Sequence, residues 1–374
     1  MKVVLSVEAL APVLSGIGRY TWELATRLPA QLGQGQISYM RQRHRVGNPA
    51  QLLDGSWKAP KTGLNLCGIK VKTPRWLKER QLIASCKGQV FHGPNFFLPS
   101  FADRGVITVH DLSVFKYPET HPIERIRHFE AEFTKSVQRA SHIITDSDAT
   151  RAEVIAYLGW SPDNITAVPL GVSPTFKPRS AQDVAECMAR YKLIYGQYAL
   201  CVSTMEPRKK IDALLVAYQR LPDVVRQRHP LVLIGGAGWL SEKLHEEIAR
   251  LSAQGWLHYL GFVPEVDLPF LYSGARTFVY PSIYEGFGLP VLEAMASGVP
   301  VVTSNRTSLP EITQGAALLV DPDDIVALTQ ALDVALGDES WRQPAQQRGL
   351  TVAMTYTWDK CIENTIEVYA KVSQ

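Results

Sequence analysis

Residues 276–304 read RTFVYPSIYEGFGLPVLEAMASGVPVVTS. An apolar, β-branched run over 276–281 is followed by a turn holding Gly286 and Gly288. A helical pattern then covers 288–297, and a second apolar run covers 299–304. Strand, turn, helix and strand in such short compass make a βαβ unit. Such a unit joins parallel strands and buries them on both faces. The alternation continues outward. In the second half strands are predicted at 198–204, 230–235, 256–260 and 317–320, with helices at 209–221, 241–253, 265–273 and 324–336. In the first half strands are predicted at 3–9, 90–94, 105–111, 142–147 and 165–170, with helices at 18–28, 122–140 and 148–158. The fold class is therefore α/β, with two Rossmann-like, doubly wound parallel sheets. The Pro-, Ser- and Gly-bearing stretch GVSPTFKPRS at 171–180 reads as the linker. It divides a domain over 1–172 from one over 173–356, and an amphipathic helix over 357–374 closes the chain. Ligands of such sheets bind beyond the carboxyl ends of the strands. Two lobes facing across a cleft would place the active site there.

With 374 residues, 46% of them hydrophobic and 20% charged, the chain has ample material for two cores. It has no apolar run long enough for a membrane span. Glu8 interrupts the first apolar stretch, which reads as a buried strand rather than a signal peptide, and the expected location is cytoplasmic. Five scattered cysteines, with no ligand-like spacing, read as reduced thiols. Charge is uneven: 1–175 carries 21 Lys/Arg against 14 Asp/Glu, a net +7, whereas 176–374 carries 18 against 22, a net −4. Residues 41–87 hold 11 basic and 2 acidic residues, with Trp57 and Trp76 among them. This stretch is either a solvated basic face or a surface for anionic lipid at the inner face of a membrane or for a phosphate-bearing acceptor. No nucleic-acid-binding motif accompanies it.

Four strand-to-helix turns carry chemistry. Ser15-Gly16-Ile17-Gly18-Arg19-Tyr20 is either a tight turn or a loop that lets a phosphate or sugar approach the backbone. It is not a dinucleotide fingerprint, because no GxGxxG occurs. His110-Asp111 ends an apolar strand, where the pair is either structural or hydrogen-bonds a sugar hydroxyl or a developing charge. Ser203 to Asp212, STMEPRKKID, puts three cations at a predicted helix start, where the dipole disfavours them. An anion between them removes the difficulty, so Arg208 and Lys209 are predicted to clamp a diphosphate. In the fourth turn Glu285 precedes Gly286, Phe287, Gly288 and Leu289, whose backbone N–H groups form a phosphate cradle at a helix N-terminus. Glu293 follows about one turn inside the helix, placed for a ribose diol.

EGFGLPVLEAMASGVPVVTS, with Glu285 and Glu293 eight residues apart, resembles the signature of retaining glycosyltransferases of the GT-B fold, family 4. SGIGRY, TVHDLS, HIITDSDATRAEV, VPLGVSPTF, STMEPRKKIDALLVAY and LIGGAGW resemble that family's blocks in its order. The resemblance implies catalytic roles for Glu285, His110, Lys209 and Arg208. It also implies a nucleotide-sugar site of Gly16, Gly18, Ser203, Arg208, Lys209, Glu285, Gly286, Phe287, Gly288, Leu289 and Glu293. Asp111, Arg19 and Tyr20 are assigned to the acceptor. Neither metal nor other cofactor is implied. Ser15 and the pair Ser203-Thr204 depart from the glycine-bearing forms of the family, which leaves the clamp to Arg208 and Lys209. The EPRKK block resembles mannosyl- and rhamnosyltransferases that use GDP-sugars and act on glycan or polyprenyl-diphosphate-linked acceptors of surface polysaccharides, including O-antigen. A UDP-sugar enzyme, a sugar-nucleotide epimerase on the same scaffold and a non-catalytic two-lobe binding protein are the rival readings.

Overall fold

A computed structural model describes residues 1–60, 64–66, 69–71 and 75–374. The expectation of a membrane-facing basic surface over 41–87 falls partly on residues outside that set. Where the stretch is described, Arg41 lies over the Trp57 ring at 5.6 Å and Arg45 donates to the Ser85 carbonyl at 3.4 Å. No helix among the described residues is long and apolar enough to cross a membrane.

The chain forms two compact units. The first comprises Met1–Leu112, Arg127–Leu170 and Trp358–Gln374, and the second Ser113–Ile126 and Gly171–Thr357. The segment Ser113–Ile126, expected with the first half, thus belongs to the second unit. Its Tyr117 ring packs there against Tyr284.

In the first unit the strands are β1 (Val3–Ser6), β2 (Ile37–Arg41), β3 (His44–Val46), β4 (Leu64–Leu66), β5 (Ile69–Val71), β6 (Val90–Gly93), β7 (Arg104–Val109), β8 (Ala140–Thr145) and β9 (Ile165–Ala167). Seven of them form one sheet in the order β3-β2-β1-β6-β7-β8-β9, and β4 and β5 make a separate pair. Every neighbouring pair in the large sheet is parallel except β2–β3. That antiparallel edge was not anticipated, because ISYMRQRHRV alternates weakly and carries four cations or histidines. The helix Gly16–Leu32 runs past Pro29, which has no N–H to offer the Ala25 carbonyl. The Tyr39 hydroxyl of β2 donates to that carbonyl at 2.7 Å, so the helix continues with its acceptor satisfied.

The second unit holds β10 (Ala199–Val202), β11 (Leu231–Ile234), β12 (Leu257–Gly261), β13 (Thr277–Tyr280), β14 (Val301–Ser304) and β15 (Leu318–Val320). Their order is β12-β11-β10-β13-β14-β15, all parallel. Leu214, Tyr218, Leu231, Leu233, Trp256 and Leu332 sit in one core, with the Tyr218 and Trp256 rings stacked 5.7 Å apart. In both units the strand order reverses direction beside the first strand, β1 or β10. A doubly wound sheet opens a crevice at that point.

Candidate functional site

The second unit gathers the charged cluster. Beyond β10, Ser203 N–H donates to Ile234 O at 2.9 Å and Met205 N–H to Gly236 O at 3.1 Å, so residues 203–206 are laced to the loop after β11. Gly235 is obligatory there: its φ is +141°, and a Cβ would lie 1.8 Å from the Ser203 carbonyl oxygen. Pro207–Lys209 then forms a single 3₁₀ turn, and Lys210, left-handed at φ 53°, caps the helix Ile211–Gln219. Arg208 and Lys209 therefore precede the helix rather than occupy its first turn. Lys210 pairs with Asp323 at 2.7 Å.

The Lys209 ammonium lies 2.5 Å from Glu285 Oε1 and donates to the Tyr280 hydroxyl at 2.7 Å. The Tyr280 hydroxyl in turn donates to the same carboxylate oxygen at 3.1 Å. Arg208 Nη1 lies 3.3 Å from Glu285 Oε1 and also donates to the Tyr284 carbonyl, while Nη2 lies 2.8 Å from Glu206 Oε1. The side chains of Arg208, Lys209 and Glu285 are only 9–12% exposed, and that of Glu206 2%. The sequence demanded an anion between two cations, and the chain itself supplies one. Burial works against the Glu285 carboxylate, but Lys209 and Arg208 outweigh it and hold its pKa at about 2. Burial, then repulsion from Arg208, presses Lys209 downward, against the pull of Glu285 and Glu206. Glu285 is fixed from behind as well. Its N–H donates to Thr307 Oγ1 at 3.1 Å, and the Ser308 hydroxyl reaches the carbonyls of Glu285 at 2.9 Å and Phe287 at 2.7 Å.

Gly286 and Phe287 are buried, and Gly288 caps the helix Leu289–Ala296 at φ +112° with no side-chain cap. The first N–H groups of a helix have no partner within it. An uncapped N-terminus of this kind is a ready site for an anion. Glu293 sits one turn inside, 6% exposed, and Ser203 is 9% exposed at the end of β10.

Sequence reasoning missed the contacts that Ser113–Ile126 makes beside this cluster. Tyr117 lies 5.2 Å from the Tyr284 ring, and the Lys116 ammonium lies 5.9 Å from the same ring. Trp239 donates to the Thr120 carbonyl at 2.5 Å, faces His121 at 5.6 Å and lies under Arg125 at 4.8 Å. Ser113–Ile126 is thus fastened to the loops carrying Glu285 and Gly235. The signal available was the density of aromatic, His and Pro residues in SVFKYPETHP. Glu206 and Tyr280 were legible only as sequence neighbours of assigned residues, and Thr307 and Ser308, 22 and 23 residues beyond Glu285, were not legible.

The remaining predicted residues belong to the first unit. Ser15 caps the helix Gly16–Leu32, accepting from Gly18 N–H at 3.1 Å, so the serine that departs from the family pattern serves as the helix cap. Gly16 is exposed and Gly18 buried, a Cβ on the latter meeting Ala9 O at 3.0 Å. Arg19 and Asp111 are half-buried. Tyr20, expected at an acceptor, is 1% exposed, and its hydroxyl is shared with Thr108 Oγ1 at 3.0 Å. It is a core residue whose ring meets His110 edge-on at 5.3 Å.

His110 has both nitrogens engaged: Nδ1 lies 2.7 Å from Asp146 Oδ2 and Nε2 lies 2.8 Å from the Pro94 carbonyl oxygen. A carbonyl oxygen only accepts, so Nε2 carries a proton, and a second proton lies between Nδ1 and Asp146. Burial opposes charge on His110, yet Asp146 raises its pKa above the ordinary value. Its neighbour His92, bonded to Tyr369 at 2.7 Å and Thr108 at 2.8 Å, is pushed down to about 3 by burial and stays neutral. Nothing in HIITDSDATRAEV singles out Asp146 as the partner of His110.

Comparison with known proteins identifies the family. Residues 14–176 match Glycosyltransferase Family 4, and 196–350 match Glycosyl transferases group 1. The chain is 40% identical over 378 residues to the O-antigen chain mannosyltransferase B of Escherichia coli, covering 99% of each. It is 29% identical over 299 residues to the serotype-specific mannosyltransferase WbdA of Escherichia coli, covering 76% of this chain and 36% of WbdA. The crystal structure of Anabaena HepE in complex with UDP and glucose superposes with a TM-score of 0.74 at 17% identity, over 99% of each chain. The two parallel-sheet units are those of the GT-B fold, and the chain belongs to glycosyltransferase family 4.

Proposed function

We propose that this glycosyltransferase moves a hexose, mannose or D-rhamnose, from a GDP-sugar to a glycan or polyprenyl-diphosphate-linked glycan acceptor during surface-polysaccharide synthesis. The new linkage is α, with retention at the anomeric carbon. The observation that carries the reading is the buried Arg208–Lys209–Glu285 cluster beside an uncapped helix N-terminus. The relationship to an O-antigen chain mannosyltransferase over the whole chain supports the sugar and the pathway.

Expelling a nucleoside diphosphate calls for charge stabilisation more than for a strong base. Arg208, Lys209 and the N–H groups of Phe287, Gly288 and Leu289 supply it in this reading, without a metal. The bond from the anomeric carbon to the phosphate oxygen breaks and the bond to the acceptor oxygen forms on the same face. The acceptor's proton passes to the departing phosphate. Glu285 positions the cations: a carboxylate shared by Lys209, Arg208 and Tyr280 is a poor nucleophile. Glu293 takes the ribose hydroxyls. His110, with both nitrogens occupied, serves as a fixed charge rather than a proton carrier.

The test is a thermal-shift series with GDP, UDP, ADP and their sugar conjugates, followed by transfer assays with and without EDTA. A ligand that binds only the folded state raises Tm with its concentration. Stabilisation by GDP and EDTA-resistant mannosyl or rhamnosyl transfer are expected. Stabilisation by UDP alone overturns the donor, and an altered free sugar nucleotide in the absence of acceptor overturns transfer. Co-sedimentation with anionic vesicles, lost on neutralising Arg43 and Arg45, tests the peripheral membrane contact.

A further inference from the structure

A line of buried hydrogen bonds in the first unit runs from the end of the chain to the His110–Asp146 pair. Tyr369 sits on the helix Trp358–Ser373, and its hydroxyl lies 2.7 Å from His92 Nδ1. On the other side of that ring, His92 Nε2 lies 2.8 Å from Thr108 Oγ1. Thr108 Oγ1 in turn lies 3.0 Å from the Tyr20 hydroxyl, and the Tyr20 ring meets His110 edge-on at 5.3 Å. Tyr369, His92, Thr108 and Tyr20 are each at most 1% exposed. The C-terminal helix, β6, β7 and the helix Gly16–Leu32 each contribute one member.

The direction of the line follows from counting protons. Each hydroxyl has one, and a neutral imidazole has a single N–H. Burial, and then the charge of His110, keep His92 neutral. Only a line in which every group donates the same way leaves no interior proton idle. If it ran from Tyr20 to Tyr369, the Tyr369 proton would end in the core with no acceptor among the described residues. If it runs from Tyr369 to His92 Nδ1, from His92 Nε2–H to Thr108 and from Thr108 to Tyr20, the proton left over is that of Tyr20.

That end of the line has a use for a proton. Burial raises the Tyr20 pKa, and Cys361 and Asp146 raise it further, so the Asp146 carboxylate stands near the Tyr20 hydroxyl. Asp146 Oδ2 is taken by His110, whereas Oδ1 is buried with no hydrogen-bond partner among the described residues. A buried carboxylate oxygen without a donor is costly. The second direction turns the positive end of the Tyr20 O–H dipole towards that carboxylate, and the first leaves both groups unserved. Against burial, Asp146 and more weakly Asp111 hold the charge on His110, beside a neutral His92.

We infer that the line is polarised from the C-terminal helix towards Asp146, and that Tyr369, Thr108 and Tyr20 are positioning residues for the His110–Asp146 pair. Tyr369 fixes the Nε2–H tautomer of His92, and each following group hands the orientation on. The inference rests on the reading above in which His110 serves as a fixed charge. It gives Tyr20 a role from within the core, in place of the acceptor contact that its burial excludes.

The test uses the full-length enzyme labelled with 15N-histidine and 13C-aspartate. Two-bond 1H–15N spectra should show His92 as the Nε2–H tautomer in the wild type and shifted towards Nδ1–H in Tyr369→Phe. A carboxylate that loses a donor becomes more basic. Tyr20→Phe should therefore move the Asp146 titration and the acid limb of the pH–rate profile up by about one pH unit, and Tyr369→Phe by about half a unit. Transfer should fall about fivefold in Tyr369→Phe with the donor KM unchanged. Thr108→Ser keeps the hydroxyl and should behave as the wild type, whereas Thr108→Val should move the Asp146 titration as Tyr20→Phe does. Val368→Ala, on the same helix and equally buried, should lower Tm and leave the tautomer and the titration in place. An Nδ1–H tautomer of His92 in the wild type, an Asp146 titration unmoved by Tyr20→Phe, or the same shifts in Val368→Ala overturns the inference. If His110 proves dispensable for transfer, the reading of that histidine fails, and the tautomer and the Asp146 titration still decide the line.

Discussion

Replacing Lys209 with methionine keeps the length of the side chain and removes one charge from a cluster that is nearly closed to water. Lys209 and Glu285 approach to 2.5 Å with 9% and 12% of their side chains exposed. Removing one partner of a buried pair typically costs about 3–5 kcal/mol. A second route gives a similar figure: a carboxylate held at about 2 instead of 4.5 contributes about 3 kcal/mol at neutral pH. Arg208 remains 3.3 Å from the same oxygen and retains part of this, leaving a loss of about 2–3 kcal/mol. For a domain of roughly 200 residues that lowers Tm by about 5–10 °C. Calorimetry at pH 7.5 measures the loss. A depressed carboxylate pKa contributes stability that is present above 4.5 and fades as pH falls towards 2, so the gap between wild type and Lys209→Met should narrow below pH 4.5. The double variant Lys209→Met/Glu285→Gln leaves no lone charge on the pair and should recover most of the stability but none of the transfer. A single variant that melts within about 1 °C of wild type, or a double variant that transfers sugar at the wild-type rate, refutes the reasoning.

Asp146→Asn removes the partner that keeps His110 charged against burial, so the His110 pKa should fall. Transfer should then drop at least tenfold at pH 7.5 and recover in part towards pH 6, which a pH–rate profile measures. Trp239→Ala removes the Thr120 hydrogen bond and the contacts with His121 and Arg125, about 2 kcal/mol. Hydrogen exchange across residues 113–126 should accelerate roughly 30-fold, with the β11 amides unchanged. Burial holds His92 at about 3, and His142 and His229 at about 4. A histidine with a depressed pKa contributes stability above 6.5 that is lost as pH falls, so urea midpoints should decline from pH 6.5 to 4, and His92→Gln should flatten the decline.

How far the sequence carried depends on whether a feature is periodic or positional. The βαβ alternation at 276–304 extended correctly over both halves because buried parallel strands are continuous apolar runs. The same rule missed β2 and β3, whose antiparallel edge is polar, and the helices Ala181–Tyr191 and Glu339–Ala353. Arg208, Lys209 and Glu285 were legible as charges that need partners, yet the partner chosen for the cations was a diphosphate, and the structure pairs them with Glu285. Periodicity says nothing about contacts across 76 residues of chain. Tyr20 failed for a related reason: its place in SGIGRY sits near a strand end, but the helix turns its ring into the core against His110. Asp146 pairs with His110 across 36 residues, and no local signal marks that contact.

Charge balance explains why cations stand where a helix dipole repels them. Arg208, Lys209, Glu206 and Glu285 sum formally to zero in a buried volume, so the cluster folds without an isolated charge. The 3₁₀ turn Pro207–Lys209 and the left-handed Lys210 set both cations ahead of the helix axis, and Lys210 is neutralised by Asp323. On the proposed reading an incoming diphosphate competes with Glu285 for cations already in place. Donor affinity then depends on how firmly Glu285 holds them. Glu285→Gln separates two outcomes. A carboxylate that only restrains the cations predicts tighter binding of GDP and slower transfer, because the amide frees Lys209 without orienting it. A carboxylate needed to keep Lys209 charged against burial predicts weaker binding of GDP, restored as pH is lowered. Titration calorimetry of GDP at pH 6.5 and 8.5 distinguishes them. Burial already presses the Lys209 pKa down with Glu285 present. The second outcome is therefore expected, and unchanged affinity at both pH values would mean that Glu285 and Lys209 are not coupled.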